Sequence, residues 1–280
     1  MRCAISADLS AMLFADKVIV ITGASEGIGA ELARQLAREK PKLVLAARRL
    51  DPLQGVVRQC EVAGAEAIAV RCDVGVEGDC KALAASALAR FGRIEILVNN
   101  AGVTGHARLE DVNDFKWYED VMRVNFMGSV WCTRYALPEL RKSKGLVAGI
   151  PGLAGKFGLP GCTAYSPSKF AQAGFFEALR TELIGTGVDV TVVFPSFVAT
   201  NLLDHGYGAD GKPTGKLSRN LKDAMPVEDC ARHIIAALRG RKRELVMSTQ
   251  ARIGLWLKLL APLVVDNMAR AALRSNTGTA

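Results

Sequence analysis

This sequence predicts an α/β chain: a doubly wound parallel sheet of about seven strands with helices on both faces. Three observations carry that prediction. Short β-branched runs without polar alternation mark strands buried on both faces. Stretches with apolar residues at helical spacing separate those runs. A glycine-rich turn, Gly23 to Gly29, joins the first run to the first helical stretch.

Residues 17–22 (Lys-Val-Ile-Val-Ile-Thr) form the first strand. Residues 31–38 are helical, because Leu32, Ala33, Leu36 and Ala37 return to one face. Residues 42–47 are the second strand, 53–63 a helix, 67–71 a strand, 77–91 a helix and 94–99 a strand. Residues 111–142 read as one long helix with Pro138 in its final turns. Strands at 146–150, 188–194 and 244–247 follow, with helices at 163–184 and 228–238. Right-handed crossovers between such strands put a ligand crevice at their carboxyl ends.

With 280 residues, half of them apolar, the chain can bury a full core as one domain. No linker, repeat or low-complexity tract divides it. Cys3, Cys60, Cys72, Cys80, Cys132, Cys162 and Cys230 are scattered, with no C-x-x-C metal spacing. Such an odd set reads as small buried hydrophobes in a reducing compartment. No apolar run with a cleavage site opens the chain, so a cytoplasmic protein is expected. The net charge of +8 is concentrated late, with 13 Lys/Arg against 7 Asp/Glu over residues 201–280. That excess reads as a solvated basic surface, or as an aid to binding a phosphorylated cofactor or an anionic membrane. Aromatic–basic clusters suited to stacking on bases are missing, so no nucleic-acid partner is expected.

The turn Gly23, Ser25, Glu26, Gly27, Ile28, Gly29 sits between a buried strand and an amphipathic helix. Glycines there allow a tight turn and close approach of a pyrophosphate, and the helix start offers N–H groups to its phosphates. A dinucleotide site follows. A carboxylate at the tip of the second strand would bind a free ribose 2′-hydroxyl, but this chain has Arg48 and Arg49. Guanidinium groups suit a 2′-phosphate, which favours NADP(H) over NAD(H); Glu26 weighs slightly against it. Asp73, followed by Val74 past the third strand, reads either as an acceptor for the adenine amine or as an ordinary turn aspartate.

Residues 22–29, Asn99-Asn100-Ala101-Gly102, Asn125, Tyr165-x-x-x-Lys169 and the Pro195 segment, in this order, resemble the short-chain dehydrogenase/reductase family. The likeness spans residues 15–247 and implies a Rossmann-type fold. Residues 153–176 are similar to the branch holding the 11β-hydroxysteroid dehydrogenases. The resemblance implies an oxidoreductase that interconverts a carbonyl and an alcohol. Tyr165 becomes the proton donor/acceptor, Lys169 its electrostatic and ribose-binding partner, and Asn125 the anchor of a proton relay. Asn100, Ala101 and Gly102 would line the cofactor, with Val198 and Thr200 at its nicotinamide end. The chemistry supports the pairing. A phenol with an ordinary pKa of about 10 is a poor acid/base near neutrality, and an ammonium one helical turn away favours its phenolate.

The family pattern breaks at one place. Where its members carry a serine that hydrogen-bonds the substrate oxygen, this chain has Gly152, and no serine lies between Lys144 and Tyr165. Losing such a donor costs about 2.7–4 kcal/mol, so the expectation is a weakened enzyme or a dinucleotide-binding regulator. Gly152→Ser separates the two: rescue of turnover marks an impaired enzyme, and no rescue favours the regulator. Cys162, Thr163 and Ser196 are the neighbouring candidates for a substitute donor.

Residues 202–222 occupy the position of the family's substrate lid. Gly152, Phe157, Leu159, Phe197 and Leu203 are expected to line the substrate side, with an apolar carbonyl or secondary alcohol as ligand. Residues 253–265 are mostly apolar, broken by Pro262, and shorter than the ~20 residues a bilayer requires. They read as packing over the domain, as a subunit interface or as a peripheral membrane contact. The resemblance also implies a homodimer or homotetramer through helices 111–142 and 163–184.

Overall fold

A computed structural model describes residues 14–202, 204–215 and 224–277. The strands are β1 (Val18–Thr22), β2 (Lys42–Ala47), β3 (Glu66–Arg71), β4 (Ile96–Asn99), β5 (Leu146–Gly149), β6 (Asp189–Phe194) and β7 (Glu244–Val246). They form one seven-stranded sheet in the order β3-β2-β1-β4-β5-β6-β7, with every pairing parallel. The predicted fold class is the observed one. The order reverses between β1 and β4, which opens a crevice at their carboxyl ends.

Alternation along the strands builds two cores. Ile19, Ile21, Leu43 and Leu45 face one side, under α1 (Gly27–Ala37), α2 (Leu50–Val62) and α7 (Val227–Arg239). Val18, Val20, Val44 and Leu97 face the other, under α3 (Glu77–Phe91), α5 (Gly128–Ser143) and α6 (Tyr165–Glu182). Both faces are covered, which is why the strands carry no polar alternation.

The predicted helix over 111–142 is interrupted. A 3-10 turn at Leu109–Asp111 precedes α4 (Lys116–Met122), a π turn at Arg123–Met127 follows, and only then does α5 begin. Asp114 Oδ1 accepts the Lys116 N–H at 2.9 Å just before α4, whose N-cap position is Phe115. The extra residue of the π turn carries Asn125 into complete burial. Apolar spacing alone does not register such a shift.

Beyond β7, Ser248 Oγ accepts the Ala251 N–H at 3.2 Å and caps α8 (Thr249–Leu260). Pro262 then opens α9 (Pro262–Thr277), a position where its missing N–H costs nothing.

Cys60, Cys72, Cys80, Cys132 and Cys230 are free and buried, and Cys162 is buried as well. Burial pushes the Cys60 thiol up to about 11 and the Cys230 thiol up to about 12. Cys72 is raised further, by its hydrogen bond to Cys80 and then by burial. The native chain therefore keeps protons that the unfolded chain releases in the ordinary thiol range. That stability is complete below the unfolded values and is lost as pH climbs through the folded ones. Melting temperature in reductant is expected to fall between about pH 8 and pH 11, and Cys60→Ala is expected to flatten the slope.

Candidate active site

The end of β1 is bound to the end of β4. Thr22 Oγ1 accepts the N–H groups of Asn100 and Ala101, each at 3.1 Å. Asn100 Nδ2 donates to the carbonyls of Thr22 at 2.9 Å and Gly23 at 3.1 Å. Asn99 points the other way and donates to Thr133 Oγ1 at 3.1 Å beneath the sheet. The glycine turn is close-packed against this knot. A Cβ on Gly29 would lie 2.3 Å from the Gly23 carbonyl oxygen, and one on Gly23 would lie 2.7 Å from Ala101 Cα. Across the crevice, Thr200 Cγ2 would be 3.3 Å from a Cβ on Gly27.

No side chain caps the first N–H groups of α1. An uncapped helix start above a glycine-rich turn fits an anionic pyrophosphate, with Ser25 and Ile28 on the same turn. At the tip of β2, Arg48 and Arg49 are both exposed. Arg49 Nη2 is paired with Glu26 Oε1 at 3.1 Å, and Glu26 Oε2 lies 3.8 Å from His205. Asp73 Oδ1 accepts the Gly75 N–H at 2.9 Å. Val74 is buried against the start of α5.

A polar corner lies at the carboxyl ends of β4 and β5. Asn125 Oδ1 accepts the Val103 N–H, and Nδ2 donates to the Val103 carbonyl, both at 2.8 Å. Nδ2 also reaches Ser168 Oγ at 2.9 Å, and that hydroxyl donates to the Tyr165 carbonyl at 2.7 Å. Tyr165 is the first residue of α6, and Lys169 lies one turn on, its Nζ 5.7 Å from the centre of the phenol ring. Lys169 Nζ is 3.5 Å from the Ile150 carbonyl at the end of β5. Gly102 is flanked on both sides: a Cβ there would be 3.1 Å from Lys169 Nζ and 3.0 Å from Asn125 Oδ1.

Burial pulls Lys169 down to about 8 and raises the Tyr165 phenol. Folded-state charge on Lys169 therefore opposes stability below about 8, and that cost lifts as pH rises toward its ordinary 10.5, opposite in sign to the thiols. The Tyr165 hydroxyl makes no hydrogen bond among the described residues. A phenol and an ammonium in one dry corner are equipped to move a proton at an oxygen atom.

Residues 17–207 match the family profile for short chain dehydrogenase. The chain belongs to that family. It is 35% identical over 273 residues to an 11-beta-hydroxysteroid dehydrogenase A of Sesamum indicum, covering 94% of this chain and 77% of that one. It is 34% identical over 247 residues to an 11-beta-hydroxysteroid dehydrogenase-like 4A of Arabidopsis thaliana, covering 88% and 81%. A short chain dehydrogenase/reductase from Burkholderia phymatum in complex with NAD superposes with a TM-score of 0.80, at 26% identity, over 90% of this chain and 95% of that one. An alcohol dehydrogenase from Thermococcus sibiricus complexed with 5-hydroxy-NADP superposes at 0.71, also at 26% identity, over 82% and 95%.

Gly152, where the resemblance implies a serine, has a backbone of its own kind. Its φ of 72° and ψ of 176° belong to a region that only glycine enters freely. Space is not the obstacle, because the nearest atom to a Cβ there is the Pro195 carbonyl oxygen at 3.8 Å. The backbone is held in place: Leu153 N donates to that oxygen at 3.0 Å, and Gly155 N donates to Gly152 O at 2.9 Å. A serine at 152 would have to adopt this strained backbone. Gly152→Ser is expected to cost about 1–3 kcal/mol of stability and to bring no gain in turnover. Thermal melts and NADPH oxidation measured together check this.

Among the neighbouring donors, Thr163 Oγ1 shares a hydrogen bond with Tyr118 Oη at 2.7 Å. Cys162 Sγ lies 3.5 Å from His106 Nδ1. His106 was not singled out by the sequence. It comes from the loop after β4, where Ala107 pairs with Cys162.

The described part of the expected lid, residues 204–215, is a strap over that loop. Tyr207 N donates to the Thr104 carbonyl at 2.9 Å, and His106 N to the Tyr207 carbonyl at 2.8 Å. Tyr207 stacks on Trp117 of α4, with ring centres 5.9 Å apart. Neither aromatic residue was foreseen, since 90 positions of sequence separate them. Leu159 is exposed beside the start of α6, and Phe197 is half-buried next to Val198, whose side chain belongs to the core. Phe157 departs from the expected substrate wall. It packs under α8, 3.4 Å from the place of a Cβ on Gly254 and 5.7 Å from Lys258 Nζ. Leu203 and the 216–222 part of the lid lie outside the described residues.

Proposed function

We propose that this chain is an NADP(H)-dependent oxidoreductase that interconverts an apolar carbonyl and a secondary alcohol, with Tyr165 as its acid/base. The observation that carries this reading is the corner itself, where buried Lys169 stands beside both Gly102 and the Tyr165 ring. The nicotinamide, when bound, supplies or accepts the hydride. The glycine turn and the start of α1 would hold the pyrophosphate, with Asn100, Ala101 and Gly102 along the cofactor and Val198 and Thr200 at its far end. Lys169 would hold the ribose and favour the phenolate, and Tyr165 Oη would give its proton to the carbonyl oxygen. Asn125 keeps the corner rigid by closing both hydrogen bonds to Val103. Without a serine donor the rate is set lower, about 10²–10³-fold on the usual worth of one such hydrogen bond.

Preference for NADP(H) rests on Arg48, which has no ion pair among the described residues, while Arg49 is already paired with Glu26. The test is NADPH and NADH binding by fluorescence, with NADPH oxidation followed over a panel of apolar ketones. Tighter NADPH binding and slow oxidation support the reading. A chain that binds NADH as tightly as NADPH refutes the cofactor preference. The backbone at Gly152 favours a second reading, a dinucleotide-binding regulator, which predicts tight binding with no turnover of any ketone or alcohol.

Helices α8 and α9 support a peripheral membrane contact. No helix among the described residues is long and apolar enough to cross a bilayer. Yet Trp256 is 70% exposed, Leu260 83% and Leu263 75%, in the company of Arg252, Lys258 and Arg270. An exposed apolar stripe ringed by cations matches an anionic lipid surface. Co-sedimentation with anionic vesicles, lost in Trp256→Ser/Leu260→Ser, is the expected result; a supernatant that retains the protein refutes it. In this reading one domain in the cytoplasm serves cofactor and substrate alike, and copies pair through α5 and α6.

A further inference from the structure

Lys169 is 4% exposed, and no carboxylate pairs with it among the described residues. A buried ammonium without a counter-ion needs acceptors to stay charged. Its two contacts are the Ile150 carbonyl at 3.5 Å and Gln172 Oε1 at 3.3 Å. Gln172 lies one turn along α6 and is fully buried. Its other end, Nε2, donates to Ser129 Oγ at 2.7 Å, and Ser129 Oγ donates to the Asn125 carbonyl at 3.1 Å.

The direction of this chain is determined throughout. An ammonium only donates, so the amide oxygen of Gln172 must face it. The amide nitrogen must then face Ser129, whose hydroxyl is left to donate onward to a carbonyl that only accepts. Glutamine meets both demands at once. Leucine, methionine or alanine would fit the apolar stripe formed by Ala173, Phe176 and Leu179, but would leave Lys169 with the Ile150 carbonyl alone.

We propose that Gln172 is a positioning residue for Lys169, holding the ammonium through Oε1 and tying it through Ser129 to the π turn that presents Asn125. It touches neither cofactor nor substrate, and acts by keeping the ammonium charged and aimed at the corner between Gly102 and Tyr165. The proposal rests on the reading of Lys169 as the cation that assists Tyr165. Tyr165 of α6 is the titratable group facing Lys169, and Cys162 stands beyond it; Ser129, Asn125, Ile150 and Gly102, from the other packed elements, do not titrate.

The test uses Gln172→Met, near in volume but with no strong acceptor, and Ser129→Ala, which leaves the amide in place but unanchored. The side-chain amine of Lys169 is titrated by NMR in the cofactor-free chain, with Lys169→Met to assign the signal. Circular dichroism and melting curves establish that each variant is folded. Folded Gln172→Met is expected to give up the Lys169 proton at lower pH. The alkaline limb of kcat/KM is expected to move the same way, with a loss of roughly 10- to 100-fold near neutrality, the worth of a hydrogen bond to a charge. Ser129→Ala is expected to shift both in the same direction by less, and it carries the test if Gln172→Met does not fold. An unchanged Lys169 titration in a folded variant overturns the proposal, even with activity reduced, because it marks a purely structural role. The titration needs no turnover, so failure of the proposed reaction in the parent chain is read separately.

Discussion

Tyr165→Phe is expected to lower ketone reduction about 10²–10⁴-fold, the usual worth of a positioned acid/base. NADPH affinity and melting temperature are expected to stay within about twofold and a few degrees, because only an oxygen without a described partner is removed. The reason lies in the corner. Lys169 Nζ stands 5.7 Å from the phenol ring, and the backbone of Tyr165 is held by Ser168. The ring is therefore retained in the variant, while the proton is not. NADPH oxidation with the parent chain and the variant measures the difference. Equal rates would remove Tyr165 from the reaction, and the oxidoreductase reading with it.

Gly29→Ala is the second large effect expected, and it strikes binding instead of chemistry. The added Cβ meets the Gly23 carbonyl oxygen at 2.3 Å and Asn100 Nδ2 at 2.5 Å. Neither can give way cheaply. Gly23 is in the turn itself, and Asn100 Nδ2 is committed to the carbonyls of Thr22 and Gly23. The variant is expected to lose about 1–3 kcal/mol of stability, as overpacking does. NADPH binding is expected to weaken about tenfold to a hundredfold, or 1.4–2.8 kcal/mol. Melting curves with and without saturating NADPH check both at once. A cofactor-induced stabilisation as large as in the parent chain would place the pyrophosphate elsewhere.

Much of the site could be read directly from local order. The glycine turn, Asn99 to Gly102 and the Tyr165/Lys169 pair each lie within a few residues, so spacing alone gives their relative placement. The end of β2 is similar, since Arg48 and Arg49 follow its last residue. Harder to see was the π turn, because one added residue leaves the apolar spacing of residues 116–143 nearly intact while rotating Asn125 into the core. Gln172 left a trace that could have been used. It is a polar residue at the point where the buried face of the helix passes from Ser168 and Lys169 to Ala173, Phe176 and Leu179, and a buried polar side chain demands a partner. Phe157 was misjudged for the opposite reason: its partner, α8, lies about a hundred residues away in sequence, beyond the reach of any local pattern.

Sequence by itself determined the strand–helix alternation, the parallel sheet, the place of the glycine turn and the one-turn spacing of Tyr165 and Lys169. These depend on side-chain period and on residues adjacent in the chain, and both survive in one dimension. Only the tertiary structure decided that Gly152 occupies a backbone region closed to serine, that Arg49 is already paired with Glu26, and that Lys169 is held by Gln172. The first is a matter of dihedral angles imposed by neighbouring strands. The other two depend on which functional group meets each charge once the chain has closed on itself, and a buried charge is governed by its nearest partners.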